Sequence, residues 1–123
     1  MLGKSKGAAH TLIDANARVV GDVHFTGGLH VQGRIEGNLL AGQEGGDLVI
    51  GEGGVVMGEI HAPRVTISGE VHGDIHASEK VKFESKAVVA GNVHYRLVEI
   101  VVGARIDGTL KFRGAEPAAG VHS

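Results

Sequence analysis

The chain has 123 residues, 21 of them Gly, with no Cys, no Trp and a net charge of −2. That length suits one domain; the missing cysteines exclude a disulfide framework and thiolate metal sites, and the near-neutral charge gives no broad electrostatic footprint for nucleic acid. Gly runs well above its ordinary share of about 7% without a collagen period, so the glycines read as corners.

Residues 1–10, MLGKSKGAAH, stand outside every repeat and are expected to form a flexible tail. Met1 and Leu2 precede Lys4 and Lys6. A short apolar tip followed by lysines also suits an anionic membrane surface, each lysine contributing up to about 1 kcal/mol. Many copies on a polymer would add avidity. No apolar run approaches the roughly 20 residues of a membrane span, and no signal peptide is visible. A reducing, cytoplasmic setting is expected.

Thr11-Leu12-Ile13 opens a partial turn, and a seven-residue motif then recurs six times, anchored on Gly21, Gly37, Gly58, Gly73, Gly91 and Gly108. Four residues before each anchor stand Ala17, Gly33, Gly54, Gly69, Ala87 and Ala104. Two before stand Val19, Ile35, Val56, Val71, Val89 and Ile106, and two after stand Val23, Leu39, Ile60, Ile75, Val93 and Leu110. The residue just after the anchor is always polar: Asp22, Asn38, Glu59, Asp74, Asn92 or Thr109. A second apolar track runs between the motifs, through Leu29-x-Val31, Leu48-x-Ile50, Val65-x-Ile67, Val81-x-Phe83 and Val98-x-Ile100.

Apolar residues at a period of two turn one face of an extended chain inward. The anchors follow one another at 16, 21, 15, 18 and 17 residues, which is about one turn of a β-solenoid of three short strands. Thr26–Gly28 and Ala41–Asp47 are expected to bulge at corners, the second explaining the long step. An antiparallel sandwich or barrel would also show frequent turns. It would not require the same columns to return six times. The predicted organisation is all-β: a flexible tail at 1–10, one solenoid domain at 11–113, and a flexible small-residue tail at 114–123. No end cap is visible, so the raw strand edges are templates for another copy. The joining surfaces are expected to use Leu12, Ile13 and Val19 at one end. At the other end they use Ile100, Val102, Arg105, Ile106, Leu110 and Phe112. The principal partner expected is therefore the chain itself.

Catalytic and cofactor chemistry finds little support. Gly51-Glu52-Gly53-Gly54 lacks the following Lys-Ser/Thr and helix of a phosphate loop. The serines have no base and orienting partner at a defined place. His24, His61, His76 and His94 share an outward column with Leu40 and Lys111. His61, His76 and His94 would stack at about 4.8 Å on consecutive turns. The pattern fixes no carboxylate beside them, so solvated histidines are expected rather than a metal site. Protonation of the column near pH 6 would charge neighbours. His72-x3-His76-x2-Glu79 is interrupted by the corner at Gly73. No catalytic, cofactor or metal residue is assigned.

The six Gly-x-apolar columns, with GEIHAPRVTISGEVHGDI as the most specific stretch, resemble the bactofilins from Thr11 to Phe112. The resemblance implies a right-handed, three-faced parallel β-helix of about six turns. It implies polymerisation without nucleotide, end to end, head to head and tail to tail, into nonpolar filaments. It also implies a scaffold at the inner face of the cytoplasmic membrane, held by Met1, Leu2, Lys4 and Lys6, that recruits cell-shape or cell-wall proteins. Members tend to carry a bulky apolar residue in the last turns, from which Arg105 departs. A charge in that interface opposes burial unless paired, so Arg105 is expected to weaken assembly. Two other readings are a hexapeptide-repeat acyltransferase and a small barrel binding a metal or sugar. The first is disfavoured because apolar steps of four and six break a hexad register at every corner Gly and no C-terminal helix follows. The second lacks a ligand triad.

Overall fold

Alternating apolar residues with small residues at the corners produce a coil of parallel strands. The computed structural model describes residues 10–113, apart from the side chains of residues 10 and 43–45. The expected tails, with Met1, Leu2, Lys4 and Lys6, lie outside the described residues except at residue 10, where the first strand begins. Among the described residues there are strands and turns, and no helix long and apolar enough to cross a membrane.

One face of the coil is a six-stranded sheet. It stacks β2 (Arg18–Val20), β4 (Arg34–Glu36), β6 (Val55–Met57), β8 (Glu70–His72), β10 (Val88–Ala90) and β13 (Arg105–Asp107). The second sheet holds β1 (His10–Ile13), β3 (Val23–Val31), β5 (Leu39–Ile50), β7 (Ile60–Ile67), β9 (Ile75–Phe83), β11 (Val93–Tyr95), β12 (Leu97–Ile100) and β14 (Leu110–Phe112). Its long strands change register at Phe25/Gly27, Leu40/Asp47 and Ala62/Arg64. In the next turn the strand divides at the same place into β11 and β12, both paired with β9. This sheet therefore supplies two faces, and each turn of the solenoid has three. The expected bulges fall at these shifts. Pro63, which has no N–H to give a ladder, sits at one of them.

All pairing is parallel and column-true. Val19, Ile35, Val56, Val71, Val89 and Ile106 pair in succession on the first face. Val23, Leu39, Ile60, Ile75, Val93 and Leu110 do so on the second. The middle members of both columns are fully buried and form one continuous core with Leu48, Ile50, Val65, Ile67, Val81 and Phe83. Each such aliphatic side chain contributes roughly 1.5–3 kcal/mol by leaving water.

After the first turn, the corner glycines are required by close approach. Gly91 has φ +149°, and a Cβ there would strike the carbonyl oxygen of Gly73 one turn below. Where the small column holds Gly69, a Cβ would meet the carbonyl oxygens of Gly51 and Gly54.

Candidate functional site

Among the described residues, the end turns of the coil have a neighbouring turn on one side only. Val93 is fully buried, while Leu110, directly above it in the same column, is 38% exposed. Phe83 is fully buried, while Ile100 above it is 50% exposed. Phe112 extends the column above Tyr95, with ring centroids 5.9 Å apart, and is half exposed. Among the described residues, no strand pairs with the outer edges of β12, β13 and β14, or of β1 and β2. Among the described residues, the end turns thus present strand edges with no strand partner and inward apolar side chains that are partly exposed.

The structure places the other terminal residues around these edges. Ile13, Val19 and Ile106 are partly buried inward residues packed on the core. Leu12 points outward over His30 and is exposed, and Val102, at a turn, is the most exposed large apolar residue among the described residues. Arg105 is exposed on the outer side of β13, above Val88. It occupies the perimeter of the terminal surface, one residue from the inward Ile106.

A second feature runs along the side wall. The rings of His61 and His76 stack with centroids 4.3 Å apart and planes 5° from parallel; His76 and His94 repeat this at 4.4 Å and 4°. The parallel register imposes the spacing, because His61 pairs with His76 and His76 with His94. Burial first, then the neighbouring His61 and His94, pushes the His76 pKa below its ordinary value. Burial, with Arg113 and Lys111, does the same to His94. Arg113 donates from Nε to His94 Nδ1 at 3.0 Å.

The expectation that no carboxylate accompanies this column is corrected. Glu59 and Asp74 precede His61 and His76 by two residues, the strand period, and so share their side of the wall. Ligand atoms of Glu59, His61 and His76 lie within 4.8 Å of one another, as do those of Asp74, His76 and His94. Glu59 Oε1 is 3.0 Å from His61 Nε2. The signal was present in the polar column after each anchor Gly, but it becomes visible only when read along the strand as well as across the turns.

The other candidates do not converge. His72 pairs with Glu70 at 3.3 Å, and Glu79 accepts from Arg64 at 2.9 Å. Arg64 also holds Asp47, and both carboxylates raise its pKa. Gly51 to Gly54 form a turn between two strands, with no helix opening on it. On the outer side of the first face, Arg18 and Arg34 both bond Glu36, at 3.1 and 2.8 Å, and hold its pKa down at about 2.

A family profile described as "Bactofilin: Polymer-forming cytoskeletal" matches residues 11–111. Bactofilin BacP of Myxococcus xanthus is 28% identical over 116 residues, covering 94% of this chain and 47% of the relative. Bactofilin BacO of the same organism is 28% identical over 102 residues, covering 83% of this chain and 79% of the relative. The chain thus spans about half the length of BacP. No solved structure matches it.

Proposed function

Since the chain belongs to the bactofilin family of polymer-forming cytoskeletal proteins, we propose that its two raw ends join copies of itself into filaments without nucleotide. The observation that carries this is the exposure of Leu110 and Ile100 in columns whose preceding members, Val93 and Phe83, are fully buried. Docking a second copy supplies the absent turn. It pairs the open backbone groups, which favour a strand partner, and covers the apolar rim. Joining like ends makes each interface isologous and the filament nonpolar.

In this reading the working residues are Leu12, Ile13 and Val19 at one end and Ile100, Val102, Ile106, Leu110 and Phe112 at the other. Arg105, at the rim, opposes joining. Met1, Leu2, Lys4 and Lys6 hold the filament at the inner face of the cytoplasmic membrane, where it organises cell-shape or cell-wall proteins. A structural family favours a scaffold over an acyltransferase. Negative-stain microscopy of the purified chain without nucleotide tests the proposal. Filaments are expected; particles no longer than one rod at every concentration would oppose it. Co-sedimentation with anionic liposomes, lost in a Met1→Ser/Leu2→Ser variant, tests the tail.

A further inference from the structure

We propose that Glu59, His61 and His76 form a binding site for one late first-row divalent metal ion, with zinc as the reference ion. Two imidazoles, which are borderline ligands, joined by one hard carboxylate suit zinc, nickel or copper better than calcium or magnesium. The three residues sit on adjacent turns of a rigid wall, their ligand atoms within 4.8 Å of one another. Around a tetrahedral ion with bonds of about 2.0–2.1 Å, donors lie roughly 3.3 Å apart. The widest of these separations must therefore close by up to about 1.5 Å. Both rings are only partly buried and Glu59 is exposed, so side-chain rotation supplies this without moving the backbone.

A second, independent observation singles out Glu59. Along the polar column, the side-chain oxygens of Asp22, Asn38, Asp74 and Asn92 accept the backbone N–H of the next turn. Asp22 accepts from Asn38 at 3.0 Å, and Asn38 from Glu59 at 2.8 Å. Asp74 accepts from Asn92 at 3.0 Å, and Asn92 from Thr109 at 3.3 Å. The step from Glu59 to Asp74 is absent from this ladder. Glu59 is one methylene longer, and its carboxylate turns along the strand to His61 Nε2 instead. The break in the ladder falls beside the histidine stack and delivers a carboxylate to it.

The alternative set, Asp74, His76 and His94, is poorer. Asp74 is engaged with the Asn92 N–H, and His94 Nδ1 accepts from the Arg113 guanidinium. Arg113 and Lys111 also place positive charge beside it. His24 has Leu40 beside it rather than a second imidazole. One ion per chain is therefore expected, with positions left on the ion for water or an outside ligand. Where Nε2 of His61 takes the ion, the neutral ring carries its one hydrogen on Nδ1.

The site does not depend on filament formation, so binding and assembly are measured separately on the same sample. The full chain is titrated with zinc chloride against a chromogenic competitor, with circular dichroism of each variant as the folding control. One equivalent is expected to bind. His76→Ala and His61→Ala abolish it, Glu59→Gln weakens it severalfold or more, and His24→Ala and His94→Ala leave it at the wild-type level. In the same titration, ring 15N shifts of His61 and His76 move while those of His24 stay. Absence of binding in the folded wild-type chain, or equal binding by wild type, His76→Ala and Glu59→Gln, overturns the site.

Discussion

The backbone N–H of Asn92 donates to Asp74 Oδ1 in the preceding turn at 3.0 Å, in a partly buried bond, and Asn92 Oδ1 in turn accepts from Thr109. The corner is thereby tied to its neighbours by side chains as well as by the ladder. Asp74→Ala leaves that donor without its protein acceptor and is expected to cost about 1–2 kcal/mol. Asp74→Asn keeps an oxygen there and should remain close to wild type. Urea unfolding followed by circular dichroism checks both; equal losses would contradict this role.

Two corner glycines separate backbone strain from collision. Gly21 has φ +119° and open space where a Cβ would stand. Gly91 has φ +149°, with the Gly73 carbonyl oxygen in that space. Gly21→Ala is expected to destabilise by about 1 kcal/mol, and Gly91→Ala by clearly more, since the overlap is with backbone. The ranking is read from thermal or urea midpoints.

The carboxyl of Glu36 gives a pH prediction. Its folded pKa lies at about 2 against an ordinary 4.5, through hydrogen bonds first from Arg18 and then from Arg34. A depressed folded value means that the stabilisation is complete above 4.5 and is lost as pH falls through about 2. Because the cluster faces water, salt weakens it. NMR titration of the Glu36 carboxyl should show the low midpoint, and Arg18→Ala or Arg34→Ala should return it toward 4.5.

Arg105→Phe replaces a rim charge with an apolar ring next to the uncovered Leu110 and Phe112 end. If the end joins copies, the variant should assemble at a concentration roughly tenfold lower, equivalent to about 1.4 kcal/mol. Pelleting assays over a concentration series read this directly. Identical thresholds for both chains would discard Arg105 as a brake.

The coil, its six turns and its three inward columns were legible in the sequence because Gly, small and branched residues recur in fixed columns. The bulge at Ala41–Asp47 was legible from the step of 21 between Gly37 and Gly58. Contacts across the variable corner were not. Arg64 lies between Asp47 and Glu79, one from each adjacent turn, and extra residues at the register shifts decide which side chains meet. The carboxylate beside the histidines escaped for a different reason. Column reading compares one turn with the next, whereas Glu59 reaches His61 along its own strand.

The absence of native Cys allows the joining of ends to be measured by single cysteines under mild oxidation. Leu12→Cys and Val102→Cys each place a thiol at one end, and Lys82→Cys places one on the side wall. Disulfide-linked dimers from each end variant separately, with none from the wall variant, are the predicted result for like ends in contact. Linkage from the wall variant alone, or none from any of the three in assembled samples, would contradict the account.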